Sequence, residues 1–174
     1  MDIFSKKLLA RILPVTWTQP TLTSDGTIGG NQMAVSKVYS RTNSIYGAAY
    51  ESFSPNGGQN GFYCDEYTGW MYFNIYLPVP VKLTNISFFI PRTGDSADGG
   101  AYNCHLWGGY SKNDRLEEIK NIGNVAENAG YNSSLTTNNY YQYFTLYLEN
   151  GGHGHEDKVT IKNILLSGVY EDYV

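Results

Sequence analysis

Histidines and cysteines are the side chains best suited to metal or nucleophilic chemistry in this chain, and the spacing of its three His and two Cys argues against both. His153-Gly154-His155-Glu156-Asp157 has the residue types of a metal site. A Gly-rich turn between two predicted strands would preorganise such ligands poorly, however, and no third histidine lies near, so the segment reads as a solvated hairpin loop. His105 lies between Cys104 and Leu106 in a predicted strand and therefore points to the sheet face opposite Leu106, which suits a surface or strand-pairing role. Cys64 and Cys104 lack Cys-x-x-Cys spacing, which removes a zinc knuckle and a redox motif. Two free, partly buried thiols are the favoured reading, with a disulfide as the open alternative. No Gly-x-Ser-x-Gly, phosphate loop or dinucleotide fingerprint occurs. The chain is expected not to be an enzyme.

Composition points to the scaffold that must position any binding group. Charged residues make up 16% and aromatics 15% of the 174 residues, led by 16 Tyr, and Gly and Asn crowd the segments between apolar runs, a mixture that favours strands and turns over helices. The length suits one domain plus an appendage. A net charge of -4 supplies no basic stripe for a phosphate backbone, so nucleic acid is not an expected partner. No run approaches the ~18 apolar residues of a membrane-spanning helix.

Ile3, Phe4, Leu8, Leu9, Ile12 and Leu13 recur at helical spacing with Lys6, Lys7 and Arg11 between them, and Pro14 halts the pattern. This predicts a short amphipathic anchor helix over residues 1–14. Isolated helices below ~12 to 15 residues are marginal in water, so its apolar face needs a dock. A partner assembly and the chain's own body are weighed equally, ahead of a membrane surface. Lys7 and Arg11 interrupt the apolar run and no small-residue cleavage site follows, so the segment reads as mature sequence and not as a signal peptide. Residues 15–31, with Pro20, Gly26, Gly29 and Gly30, have the composition of an extended linker.

Residues 32–174 read as strands separated by turn chemistry. Met33, Val35 and Val38 mark a first strand, and a helical turn is expected within residues 46–53. The clearest strand spans residues 69–77, with Met71, Phe73, Ile75 and Leu77 on one face and Trp70, Tyr72, Asn74 and Tyr76 on the other. Further strands are expected over 83–90, 102–107, 115–125, 140–148 and 159–170. With no helical crossover between them, antiparallel pairing in a closed two-sheet stack follows. Trp70 and Trp107 are expected to pack in the core or on a sheet face.

From residue 32 to about 171 this succession resembles the discoidin family, the coagulation-factor C-type domains that include the family 32 carbohydrate-binding modules. The matching residues are Tyr46-Gly47-Ala48-Ala49-Tyr50-Glu51-Ser52-Phe53-Ser54 for an Ala-x-x-x-Phe-Asp segment, and Gly69-Trp70 opening a strand that runs to Pro78-Val79. Ile86-Ser87-Phe88-Phe89-Ile90 and Tyr102 to Gly108 follow in order, and Tyr143 to Tyr147 and Ile161 to Gly168 match the two closing strands. The resemblance implies an all-β, antiparallel jelly-roll sandwich, here with a short N-terminal helix before it.

Sugar recognition needs an aromatic plate for the apolar ring face and fixed polar groups for hydroxyls. In family 32 modules a loop Arg, an Asn, a His and an aromatic supply them, and Arg92 stands where the resemblance places a ligand-contacting Arg. Tyr110, Asn113 and Tyr131 come from loops expected to rim the same end, with an exposed side chain bearing no ligand as the alternative for each. Ser54 replaces an Asp that holds structural calcium in many members. The loop around Ser54, Asn56 and Asp65 offers backbone carbonyls and one carboxylate, a weak calcium site, and no other cofactor is implied.

The absent signal, the anchor helix and the Tyr/Gly/Asn-rich body are similar to bacteriophage fibres. The expected role is therefore a virion surface or fibre component that adheres to host-surface glycans, assembled with other virion proteins through its N-terminus, as a homo-oligomer made in the host cytoplasm. A decoration protein without ligand and an extracellular carbohydrate-binding module of a bacterial secreted protein are the alternatives.

Overall fold

The computed structural model describes residues 12–22, 33–39, 45–46, 49–53, 62–65, 70–91, 100–150 and 158–173, with backbone alone at 12, 37–39, 45–46, 62–65, 150, 158–160 and 173. In chain order the elements are β1 (Ile12–Thr18), β2 (Ala34–Tyr39), β3 (Ile45–Tyr46), α1 (Ala49–Ser52), β4 (Phe62–Asp65), β5 (Trp70–Ile90), β6 (Gly100–Gly109), β7 (Glu117–Ala126), β8 (Ala129–Ser134), β9 (Tyr141–Asn150) and β10 (Lys158–Tyr173). All pairings among them are antiparallel. Five strands in the order β2-β5-β9-β6-β7 form one sheet, and β1-β10-β5-β8 form a four-stranded second one. The short β3 and β4 extend the start of β10. No helix among the described residues is long and apolar enough to cross a membrane.

The alternation read in the sequence sets which face each strand buries. Met71, Phe73, Ile75 and Leu77 are buried on the inner face of the five-stranded sheet, as are Leu106 of β6 and Phe144, Leu146 and Leu148 of β9. Leu83, Ile86, Phe88 and Ile90 of β5 and Ile161, Ile164 and Leu166 of β10 meet them from the second sheet in one continuous core. Each such side chain contributes roughly 1.5–3 kcal/mol of burial. Phe53, just after α1, closes the core edge-to-face on Phe73 with ring centroids 5.5 Å apart.

Three expectations are corrected. The two strands expected over 69–77 and 83–90 are one 21-residue strand, β5, whose first part pairs with β2 and β9 and whose last part pairs with β10 and β8. Pro78 and Pro80 read as a break because they lack an N–H, but they fall in the register shift between Tyr76 and Val81, where the strand turns from one sheet to the other. Ile12 and Leu13, expected in the anchor helix, and residues 15–18, expected in a linker, form β1 against Ser167–Tyr173 of β10. Pro14 is tolerated there because, among the described residues, β1 pairs with β10 alone and lies at a sheet edge, where a missing N–H can be accommodated. The rest of the expected helix, with Ile3, Phe4, Leu8 and Leu9, lies outside the described residues. Finally, residues 129–134, read as a loop containing Tyr131, form β8 after a two-residue corner in which Asn128 takes φ 56.

Candidate functional site

The outer face of the five-stranded sheet is lined by the residues that alternate with the core: Ser36 of β2, Trp70, Tyr72, Asn74 and Tyr76 of β5, Tyr143, Thr145 and Tyr147 of β9, and His105 and Trp107 of β6. Cross-strand register sets these side by side, with Asn74 opposite both Ser36 and Thr145, Tyr72 opposite Tyr147, and Tyr76 opposite Tyr143. The connection from β6 to β7, residues 110–116, folds back over this face. It is braced by Asp114 N–H donating to the Ser111 carbonyl at 3.1 Å and Leu116 N–H donating to the Gly108 carbonyl at 3.0 Å. Asp114 Oδ2 accepts from Tyr110 N–H at 3.1 Å, which turns that carboxylate into its own loop. Asn113, at φ 67, tips the loop towards the sheet, where its Oδ1 accepts from Asn74 Nδ2 at 3.0 Å. Asn tolerates this left-handed conformation better than most residues.

Between the loop and the sheet lies a cavity of ≈ 310 Å³ lined by Ala34, Val35, Ser36, Asn74, Ile75, Tyr76, Lys112 and Tyr143. The Tyr76 and Tyr143 rings sit 5.0 Å apart, tilted by 42°. Asn74 is only 7% exposed, and its Oδ1 has no hydrogen-bond partner among the described residues. A buried acceptor left unpaired costs roughly 1–3 kcal/mol, so it marks a position held for some other purpose or filled by a group from outside.

Further along the same face Trp70 stacks on Tyr72 at 5.6 Å and on Tyr147 at 6.4 Å. The Arg115 guanidinium lies 5.1 Å from the Tyr72 ring centre and 5.3 Å from that of Tyr147, tying the loop to the aromatic row through cation–π contacts. His105 faces Glu118 through Nδ1 and Asn103 Oδ1, at 2.8 Å, through Nε2. Tyr147 donates to Glu149 Oε1 at 2.7 Å, and burial followed by this bond pushes its phenol up to about 12. Cys104 is a free thiol on the inner face, pushed up to about 12 by burial and then by Glu149, so it is a packing group and not a nucleophile near neutral pH. The His105–Glu118 contact orients the imidazole ring, which lies 6.0 Å from the Trp107 ring and 6.3 Å from that of Tyr147. The arrangement suits binding.

Of the residues singled out in the sequence, the structure brings Tyr110 and Asn113 together in the β6–β7 loop. Asn113 bonds to Asn74, which lines the cavity, while Tyr110, exposed, leans on Tyr141 at 5.2 Å. Tyr131 is not a loop residue: it stacks on Phe88 at 5.1 Å and packs against the core from β8. Arg92, Ser54 and Asn56 lie outside the described residues, as do His153 and His155, and of Asp65 and Cys64 only the backbone in β4 is described. Among the described residues no three His, Cys, Asp or Glu gather as a metal site. Asn74, Tyr76, Lys112 and Tyr143 were not singled out as contacts, although the alternation of Tyr72, Asn74 and Tyr76 opposite an apolar face carried the signal for two of them.

Fold and site together define an antiparallel β-sandwich of the discoidin-like class with a recessed outer face. Among solved structures it is similar to a fucolectin (F-lectin) from the serum of striped bass, Morone saxatilis, with a TM-score of 0.51 and 16% identity. The match covers 78% of this chain, which spans only 46% of that lectin chain. CpGH89CBM32-5 from Clostridium perfringens, solved with GalNAc-β-1,3-galactose, matches over 91% of this chain and 94% of its own with a TM-score of 0.37 and 11% identity. CBM32-1 from a family 31 glycoside hydrolase of the same organism matches over 72% and 94%, with a TM-score of 0.36 and 11% identity. No protein-family model matches the chain, and no curated protein does.

Proposed function

We propose that the domain is a non-catalytic glycan-binding module and that the sugar seats in the cavity on the outer face of the five-stranded sheet. The observation that carries this is the buried carboxamide of Asn74, with an unpartnered Oδ1, set in a cavity flanked by the paired rings of Tyr76 and Tyr143. A sugar hydroxyl is the donor that Oδ1 lacks; the atom is closed to solvent, so the hydroxyl would reach it as the side chain of exposed Asn113 gives way, and a tyrosine face is the surface on which the apolar side of a pyranose packs. The fold shared with a fucolectin is consistent with the same class of ligand. Adhesion to host-surface glycans from a bacteriophage virion is the setting expected from the sequence. Its anchor rests chiefly on residues before Ile12, outside the described ones, and the binding proposal does not depend on it.

The test is a glycan array probed with the full chain and with Tyr76→Ala and Tyr143→Ala. Losing a sugar-packing ring of about 1.4 kcal/mol should weaken a bound glycan roughly tenfold in each variant. A blank array, or binding that both variants retain, would overturn the assignment and favour a decoration protein without ligand.

A further inference from the structure

Resting on the reading of the cavity as a saccharide site, we infer that the saccharide it takes is acidic, its anion paired with Lys112 and one of its hydroxyls donating to Asn74 Oδ1. Lys112 is the charged residue among the described ones that line the cavity, and no carboxylate lines it with them. It stands next to Asn113 in a loop whose backbone is braced against Gly108 and whose Asn113 is bonded to Asn74, so the backbone that carries this exposed side chain is held at the cavity that Asn74 also lines.

The carboxylates nearest in sequence are engaged elsewhere. Asp114 takes the Tyr110 N–H, Glu117 is held by Tyr141 and Asn139, and Glu118 faces His105. Lys112 makes no ion pair among the described residues. In a chain of net charge -4 this leaves one cation without a carboxylate partner at the mouth of a cavity. Screening over ~8 Å at physiological salt means that this local charge, and not the net charge of the chain, is what a ligand in the cavity meets.

The two polar groups make opposite demands. Oδ1 needs a donor and the ammonium needs an acceptor, preferably charged. A neutral sugar meets the first need well and the second only weakly, and a simple carboxylate or sulfate ion cannot meet the first. A ring bearing both a hydroxyl and an anion meets both, and its carbon face is left for Tyr76 and Tyr143. The ≈ 310 Å³ cavity lies at the low end of the roughly 300–1,000 Å³ of small-molecule sites, which suits one terminal or branching sugar residue and not a buried chain.

The experiment is calorimetric titration of the full chain with matched pairs of saccharides: uronic acids and their methyl esters, sialylated glycans and their carboxyl-reduced forms, and sulfated and unsulfated versions of one neutral sugar. At low ionic strength at least one acidic member should bind about fivefold tighter than its neutral counterpart, the scale of a part-exposed ion pair. The preference should close at about 0.5 M salt and disappear in Lys112→Gln, a change at an exposed loop position whose fold near-ultraviolet circular dichroism checks. The carboxylate and sulfate arms tell which anion is read. If acid and neutral partners bind alike, or if Lys112→Gln keeps the preference, the inference fails while the glycan reading stands. If no saccharide in the panel or on the array binds, the glycan reading fails and this inference falls with it.

Discussion

Asn74 is placed where a folding argument alone would not put it. Its neighbours along the outer face, Tyr72 and Tyr76, are part-exposed aromatics, whereas Asn74 is buried under the 110–116 loop with one hydrogen bond made and one acceptor empty. Asn74→Val should therefore cost little stability. It gives up a bond to exposed Asn113 worth about 0.5–1.5 kcal/mol and relieves an orphan acceptor that costs about 1–3 kcal/mol, while a β-branched side chain suits the strand. We expect thermal melting of the variant to match or exceed that of the parent while glycan binding is lost. A fall of more than about 4 °C, roughly 1–2 kcal/mol for a chain of this size, would make Asn74 a structural residue instead. The sequence showed at this scale that Trp70, Tyr72, Asn74 and Tyr76 share a face. It did not show that a loop some forty positions later covers one of them, because that contact depends on β6 pairing beside β9 and on Asn113 entering the left-handed region. Four of the described asparagines, Asn103, Asn113, Asn128 and Asn163, have positive φ, so part of the Asn richness that suggested sugar contacts serves backbone conformation.

Elements meet at the start of β7 and β9, where Tyr141 donates to Glu117 Oε2 at 2.6 Å and Asn139 Nδ2 donates to the same oxygen at 3.0 Å. The Tyr141 bond, ahead of the other contacts, holds the Glu117 carboxyl below its usual range, and burial followed by Glu117 pushes the Tyr141 phenol up to about 12. A carboxylate lowered in the folded state stabilises above its unfolded pKa, and that stability is lost as pH falls through the folded value. A phenol raised in the folded state stabilises below its unfolded pKa and loses that contribution as pH rises through about 12. Tyr141→Phe keeps the ring and removes the bond. Urea denaturation should show the variant about 1.5–3 kcal/mol less stable at neutral pH, with the gap narrowing as acid protonates Glu117. A gap that does not change with pH would detach the bond from Glu117. The pairing of β10 with β5 carries a close approach: a Cβ at Gly168, in the bulge of β10, would stand 2.6 Å from the Lys82 carbonyl oxygen and 2.6 Å from Val81 Cγ1. A backbone carbonyl cannot swing aside, so Gly168→Ala should lower stability by about 1–3 kcal/mol in the same assay, and a neutral result would mean that the β5–β10 crossing is looser than described. Strands with strong alternation, such as 140–148, were legible in sequence. β8 was not, because Ala-Gly-Tyr-Asn-Ser-Ser has little β-propensity and is held by backbone pairing with the end of β5, by Tyr131 on Phe88 and by an Asn85–Asn132 bond of 3.1 Å.

Across the whole molecule, the division into anchor, linker and sandwich gives way at Ile12. Residues 12–18 pair with β10 along seven positions, Trp17 is buried in the common core, and Gln19 follows with its carboxamide fully used. Gln19 Nε2 donates to the carbonyls of Phe53 at 2.8 Å and Ile164 at 2.9 Å, and its Oε1 accepts from Leu166 N–H at 2.9 Å. One side chain thus ties the end of β1 to β10, 145 positions away in sequence, and to the segment after α1, 34 positions away. The pattern was hidden because Thr16, Thr18 and Gln19 read as polar punctuation around Pro14 and Pro20, and nothing local reveals that three backbone groups elsewhere depend on Gln19. Gln19→Leu keeps much of the volume and strands those groups. Allowing for incomplete additivity, the loss should be at least about 3 kcal/mol, or a melting temperature lower by roughly 6–12 °C. Removal of residues 1–11 leaves every one of these contacts in place and should melt like the parent, whereas removal of residues 1–19 should leave a chain that no longer unfolds cooperatively. Cooperative unfolding of the longer truncation would restore the view of this segment as a detachable tether. The expected result instead makes β1 and Gln19 part of the sandwich, so that any anchoring function belongs to the residues before Ile12 and reaches the binding face through a strand that the core holds in place.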